Sequence, residues 1–173
     1  NTHVLLVTGF KHATVNFENS NLYHPPCTGH YMKSYLSHLE CTACNETFSP
    51  QEVHRTCSIC GKVLYARYNL KQVAHDLDRD DLTNRRGDMW RYFELLPVQS
   101  EENIVSLGEG FTPLIHANRL GIKLGCPNLL IKDEGLNPTA SFKARGLSAA
   151  VSKAKELGLT KLTMPSAGNA GGA

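Results

Sequence analysis

Two cysteine pairs constrain the fold of this chain more than any other feature. Cys41 and Cys44 form one C-x-x-C pair, Cys57 and Cys60 form a second, and twelve residues separate the pairs. Each pair can wrap one side of a tetrahedral ion, and the intervening residues then form the hairpin that joins the two sides. Gly61 follows the second pair, where a tight turn requires a positive φ. The spacing predicts a small zinc ribbon.

The four sulfurs also indicate what the metal does. Four protein ligands leave no open position for water or substrate, so we expect structural Zn²⁺ rather than a catalytic ion. A redox dithiol is the alternative, but a redox C-x-x-C seldom has a matching second pair. Zinc ribbons can also bind nucleic acid. Because this one carries few basic residues (Arg55, Lys62, Arg67), nucleic-acid binding is not expected.

The composition is that of a globular protein with one ordinary domain and a smaller unit. Of the 173 residues 41% are hydrophobic, the net charge of +2 is spread along the chain, and no apolar run is long enough to span a bilayer. Organisation begins near Met32, the first methionine, and we expect residues 1–31 to be translated upstream sequence or a remnant of cloning. We expect an extension outside the fold at residues 1–38, a zinc ribbon at 39–70, a connector with a short helix at 71–100, and the start of a truncated catalytic domain at 101–173.

The last part of the chain alternates strand and helix patterns. "NLLIK" is typical of a short buried strand, "SFKARGLSAAVSKAKELG" of a helix ending at Gly158, and "KLTMP" of a second strand. Apolar residues of that helix include Phe142, Ala149, Ala150 and Leu157. Strand, helix and strand at this spacing predict an α/β fold, specifically an incomplete parallel βαβ sheet domain preceded by the ribbon.

Lys143 lies where the predicted helix begins. The carboxyl edge of an α/β sheet is where ligands usually bind, and a helix start attracts anions and disfavours a protonated amine. A lysine there can act as a nucleophile toward an aldehyde, although a solvated lysine of the first turn would look the same. The loop "PSAGNAGG" follows the second strand and should lie at the same edge, with backbone N–H groups and the Asn169 amide available as donors.

Three motifs carry a family resemblance. "SLGEGFTPL", "IKDEGLNPTASFKARG" and "MPSAGNAGG", in this order, closely resemble threonine synthases and the wider tryptophan-synthase-β-like, fold-type II family of pyridoxal-phosphate enzymes. An amino-terminal zinc ribbon joined to these motifs is similar to one subset of threonine synthases. The resemblance covers about residues 39–173, and the family's downstream Gly-rich loop for the cofactor phosphate is not among them.

The resemblance implies a role for several residues. Lys143 matches the catalytic lysine that forms a Schiff base with pyridoxal 5′-phosphate, and Asn169 matches the asparagine that contacts the cofactor's 3′ oxygen. The loop residues that match the family's substrate-carboxylate loop are Ser166, Ala167 and Gly168. Some relatives have Asp after the lysine, where this chain has Ala144.

The implied function is a cytoplasmic lyase, the amino-terminal part of a threonine synthase that converts O-phospho-L-homoserine and water to L-threonine and phosphate. A threonine or serine dehydratase or a cysteate synthase would use the same lysine and loop. A zinc-ribbon interaction module on a catalytically dead domain is the alternative of another class. The expected partner is a small amino-acid substrate, with no nucleic acid or membrane, and the resemblance allows a homo-oligomer of the complete protein. Residues 1–173 alone are expected to be inactive.

Overall fold

The computed structural model describes residues 12–16 and 32–173. It contains seven strands and four α-helices in these residues, joined by loops and four 3-10 helices. The strands are β1 His12–Asn16, β2 Leu36–Cys41, β3 Thr47–Phe48, β4 Leu64–Tyr68, β5 Leu114–His116, β6 Leu130–Lys132 and β7 Lys161–Pro165. The α-helices are α1 Leu70–Asp76, α2 Asn118–Lys123, α3 Lys143–Glu156 and α4 Asn169–Gly172. The 3-10 helices are Asp80–Asn84, Met89–Leu95, Glu101–Asn103 and Glu134–Leu136.

The ribbon is a three-stranded antiparallel sheet with strand order β3-β2-β4. Leu39 at its centre is paired with Phe48 on one side and Ala66 on the other. The register between β2 and β4 shifts between Leu36 and His38, as a β-bulge does. Helix α1 follows β4 directly, and the side chain of Asn69 caps it by accepting a hydrogen bond from the Gln72 N–H.

The hydrophobic core lies in the connector that was predicted to hold a short helix. Met89–Leu95 is helical but of the 3-10 type, with a kink at Tyr92, and the Asp88 carboxylate caps it by accepting from the Trp90 N–H at 2.9 Å. Trp90 and Phe93 are fully buried here. They form one cluster with Met89, Val98 and Ile104. A 3-10 turn places side chains three residues apart on one face, which suits this Trp90 and Phe93 pair.

Helix α3 lies within the predicted segment 141–158, is 14 residues long and ends close to Gly158, as predicted. Its last residue is Glu156, and Gly158 has a φ of 74°, the left-handed conformation that terminates helices. The buried face differs from the predicted apolar positions, because Ala144, Ser148, Ser152 and Ala154 are buried whereas Phe142 is 59% exposed.

Hydrogen bonds explain why serines of α3 are buried. The Ser148 hydroxyl accepts from Trp90 Nε1 at 3.1 Å and donates to the Val105 carbonyl at 2.7 Å. The Ser152 hydroxyl accepts from the Val105 N–H at 2.8 Å and donates to the Ser148 carbonyl at 2.6 Å. Because buried polar groups are stable when they are hydrogen-bonded, these serines fasten the connector to the helix.

The strands flanking α3 exist, but the predicted parallel pairing between them is not observed in the described residues. β6 pairs antiparallel with β5, and β7 pairs antiparallel with β1. Parallel sheets need cover on both faces, whereas every residue of β6 is exposed, including Leu130 at 54%, so "NLLIK" is not the buried strand that was predicted. β6 instead pairs with its neighbour in sequence, the commonest arrangement for consecutive strands.

The amino-terminal extension, predicted as 1–38, overlaps two strands. Within it, β1 pairs with β7 over five residues from His12 opposite Pro165 to Asn16 opposite Lys161, and β2 begins at Leu36. The other residues up to Tyr31 lie outside the described part, so the origin expected for residues 1–31 stays a prediction, as do the domain boundaries. Within the described part, every helix is too short or too polar to cross a lipid bilayer.

Replacement of Phe93 by alanine tests the position of the core. Phe93 is fully buried, and removing such a side chain typically lowers the free energy of unfolding by about 3–5 kcal/mol. Its neighbour Tyr92 is 45% exposed, and Tyr92→Ala should cost less than about 1 kcal/mol. Urea unfolding followed by Trp90 fluorescence measures both values, and equal losses would contradict this core.

Candidate functional site

The four predicted metal-ligand cysteines meet at one end of the ribbon. Their sulfurs all lie within 4.8 Å of one another. Sγ–Sγ distances are 3.4 Å for Cys41 and Cys60, 3.6 Å for Cys44 and Cys57, and 3.6 Å for Cys44 and Cys60. Four sulfurs about 2.3 Å from a tetrahedral ion would be about 3.8 Å apart, whereas a disulfide requires about 2.05 Å. The cluster could therefore hold a metal ion, and the four cysteines form no disulfide.

The two knuckles of the ribbon have matching backbones. The Cys41 N–H donates to the Glu46 carbonyl and the Cys57 N–H donates to the Lys62 carbonyl, both at 2.8 Å. The residue before each acceptor has a positive φ, 60° at Asn45 and 71° at Gly61. The sequence indicated the second of these turns through its glycine. Asn45 was missed, although asparagine is the residue after glycine that best tolerates this conformation.

Backbone donors also favour an ionised sulfur in the first knuckle. The N–H groups of Cys44 and Ala43 point at the Cys41 sulfur and lower the pKa of this thiol to about 6. A thiolate is the form that binds metal, so the knuckle backbone prepares Cys41 for that role.

Lys143 is the first residue of α3. Asn137 precedes Pro138 and is extended, with φ −63° and ψ 157°, as the residue before a proline prefers. The chain then turns, and the Ser141 hydroxyl accepts a hydrogen bond from the Lys143 N–H at 3.2 Å. The Lys143 side chain is exposed, with its Nζ 4.7 Å from the centre of the Phe142 ring.

A polar cluster around Glu134 lies beside this helix start. Arg145 donates to both carboxylate oxygens of Glu134 at 2.7 Å, and the Thr112 hydroxyl donates to one of them at 2.6 Å. The Asn137 amide donates to Glu134 at 3.0 Å and accepts from the Gly110 N–H at 3.0 Å. These donors lower the pKa of Glu134 to about 2, with the Arg145 hydrogen bonds as the largest cause. The cluster joins the "GEGFTPL" loop, the "KDEGLNPT" segment and α3.

Sequence reasoning did not single out this cluster. Glu134, Asn137 and Arg145 all lie in the quoted motif "IKDEGLNPTASFKARG", but only Lys143 was assigned a role from it. The available signal was a group of polar residues within a predicted strand-to-helix turn.

The loop that was predicted to hold the substrate carboxylate connects β7 to α4. Its three residues are Ser166, Ala167 and Gly168, and Gly168 has a φ of 146°. The Ser166 hydroxyl accepts from the N–H groups of Gly168 at 3.1 Å and Gly171 at 2.7 Å. Asn169 begins α4 and is exposed. Helices α3 and α4 are neighbours, so Lys143 and Asn169 begin two adjacent helices.

A cavity of about 500 Å³ is lined in part by residues of the Glu134 cluster. Thr112 and Arg145 contribute to its wall together with Arg91, Tyr92, Phe111 and Lys132, and Lys143 is not among its lining residues. The Arg91 guanidinium lies 5.0 Å from the Phe111 ring.

The depressed pKa of Glu134 predicts a pH dependence of stability. The ion pair with Arg145 should contribute fully above the ordinary value of 4.5 and be lost as the pH falls towards about 2. The melting temperatures of the wild type and of Glu134→Gln should therefore converge between pH 6 and pH 2. A difference that stays constant over this range would contradict the ion pair.

Comparisons with known proteins agree with the motifs. Residues 105–173 match the family described as pyridoxal-phosphate dependent enzyme. The chain is 41% identical over 129 residues to a threonine synthase of Methanocaldococcus jannaschii, and the match covers 75% of this chain and 32% of the relative. It is 40% identical over 134 residues to a threonine synthase of Methanosarcina acetivorans, and the match covers 78% of this chain and 32% of the relative. A threonine synthase of Halalkalibacterium halodurans is 46% identical over 84 residues, 49% of this chain and 23% of the relative.

The chain thus spans about a third of the length of the first two relatives. No solved structure matched it at a significant level. The motif resemblance to threonine synthases is confirmed, and residues 105–173 match the family of pyridoxal-phosphate-dependent enzymes.

Proposed function

We propose that the intact protein is a threonine synthase, a lyase that converts O-phospho-L-homoserine and water to L-threonine and phosphate. The observation that carries the proposal is Lys143, an exposed primary amine at the first residue of α3, inside the segment that matches the enzyme family. The names of the relatives at 41% and 40% identity favour this reaction over the dehydratase and cysteate synthase alternatives.

Lys143 would hold pyridoxal 5′-phosphate covalently. When bound, this cofactor supplies an electron sink for negative charge that develops on substrate carbon atoms. The chemistry of the residues present fits it, because a lysine amine reacts with an aldehyde and the helix start favours nearby anions. The Lys143 amine would also move protons between the substrate carbons.

The loop after β7 would bind the substrate. The Asn169 amide is exposed and can hydrogen-bond the cofactor's 3′ oxygen, while Ser166, Ala167 and Gly168 hold the substrate carboxylate. The Ser166 hydroxyl accepts hydrogen bonds from the N–H groups of Gly168 and Gly171. These hydrogen bonds keep the backbone donors of the loop in one arrangement even when no anion is bound.

The ribbon would hold Zn²⁺ in a structural role. Its large apolar residues Val53, Ile59 and Val63 are more than half exposed, and of its cysteines only Cys41 and Cys57 are buried. A unit with so little buried apolar surface needs a metal or disulfides to fold. We further propose a cytoplasmic enzyme of a small amino-acid substrate, without nucleic acid or membrane partners, that forms a homo-oligomer.

Zinc content tests the ribbon. We expect one tightly bound zinc ion per chain, measured by elemental mass spectrometry of freshly purified protein. Cys57→Ser should lose the ion because three sulfurs remain, and the ribbon should unfold. Cys126→Ser is the matched control, since Cys126 is a free thiol outside the cluster. Full zinc content in Cys57→Ser would count against the site.

Phosphate release tests the reaction. The intact protein loaded with pyridoxal 5′-phosphate should release phosphate from O-phospho-L-homoserine and form threonine, and Lys143→Ala should reduce both to the uncatalysed background. Serine and threonine serve as competing substrates. If the protein deaminates these and leaves phosphohomoserine unchanged, it is a dehydratase. If Lys143→Ala keeps the wild-type rate, the lysine assignment is wrong.

A further inference from the structure

Two glutamates attach α3 to the preceding segments, one at each end of the helix. At the start, Glu134 binds Arg145 through both of its carboxylate oxygens. At the end, Glu156 accepts from the N–H groups of Gln99 at 2.6 Å and Ser100 at 3.0 Å, and from Lys153 at 2.6 Å. The two carboxylates make comparable hydrogen bonds, but only Glu134 lies at the end that presents Lys143.

We propose that Glu134 is a positioning residue for Lys143: through Arg145 and Thr112 it fixes the first turn of α3, and with it the direction in which the lysine amine is offered to pyridoxal phosphate. The proposal rests on the proposed function, which makes Lys143 the cofactor lysine. It assigns to Glu134 no contact with the cofactor or the substrate.

The geometry of the helix start supports this role. Side chains two residues apart on a helix do not face each other. Glu134 can therefore bind Arg145 without also binding the Lys143 amine. The residues around the lysine are buried: Ala144 is 1% exposed, and Ser141, whose hydroxyl accepts a hydrogen bond from the Lys143 N–H, is 6% exposed. The backbone of Lys143 is thus held on both sides while its side chain stays exposed.

The groups around Glu134 require a carboxylate rather than an amide. Arg145, Thr112 and the Asn137 amide all donate hydrogen bonds to it. A glutamine would place an NH₂ group against at least one of these donors, and would lose the two-point ion pair with the guanidinium. The loop residue Gly110 is drawn into the same cluster, because its N–H donates to Asn137. Glu134→Gln should therefore loosen the first turn without emptying a hydrophobic core.

The experiment measures how Lys143 reacts, independently of turnover. The intact apo-protein is treated with pyridoxal 5′-phosphate and cyanoborohydride, and peptide mass spectrometry follows the labelling of each lysine. Lys123, an exposed lysine of α2, is the internal reference in the same molecule. Wild type, Glu134→Gln and Glu156→Gln are compared, together with their melting temperatures and the near-ultraviolet circular dichroism of each folded protein.

We expect Glu134→Gln to lower the ratio of Lys143 to Lys123 labelling by about tenfold, because small displacements of a reacting group have large effects on rate. Glu156→Gln should lower the melting temperature by a similar amount and change the ratio less than about twofold, since it removes contacts from the far end of the helix. If Glu134→Gln does not fold, Thr112→Val removes one hydrogen bond to Glu134 and should give an intermediate loss of labelling.

Two results would overturn the inference while the proposed function stands. The first is an unchanged labelling ratio in folded Glu134→Gln. The second is an equal loss in both glutamine variants, which would make Glu134 a stabilising residue only. Absence of any label on Lys143 in the wild type would instead overturn the proposed function, and the inference with it.

Discussion

The attachment of the connector to helix α3 is the interaction on which most of the described structure depends. Trp90 packs with Phe93 in the core and donates its indole N–H to Ser148 of the helix. This hydrogen bond links the largest buried side chain to α3. A movement of the helix relative to the apolar core would therefore break it. Ser152 adds a second link by accepting a hydrogen bond from the Val105 N–H. Helix α3 thus carries the core contacts on one face and, at its first residue, the candidate cofactor lysine.

Polar contacts hold both ends of helix α3, but the partner groups differ between the two ends. At the carboxyl end, Glu156 accepts hydrogen bonds from the N–H groups of Gln99 and Ser100, which precede the 3-10 helix Glu101–Asn103. At the amino end, Glu134 is surrounded by donors from three segments of the chain. A donor or acceptor left without its partner would cost free energy. Both ends of the helix are therefore stable only while the segments that they contact stay folded.

The ribbon depends on a different constraint. Its sheet is small, and the residues that converge at its end are four sulfurs held by matching turns at Asn45 and Gly61. Each cysteine pair lies beside one of these turns, and a metal ion bound by all four sulfurs would hold the two pairs together. The ribbon therefore has little apolar core of its own, whereas the α3 region is attached to the cluster of Trp90 and Phe93.

Local features of the sequence determined much of this protein. The cysteine spacing predicted the cluster, Gly158 predicted the end of α3, and the three motifs predicted the enzyme family, because each depends on residues close together in the chain. Only the tertiary structure decided the partners of β6 and β7, the 3-10 form of Met89–Leu95 and the burial of Ser148 and Ser152. Strand pairing depends on which faces are covered, and a serine is buried only where distant groups such as Trp90 and Val105 can bind it. The same reason hid Glu134 from sequence analysis, since its donors Thr112 and Arg145 stand 22 and 11 residues away and meet only in the folded chain.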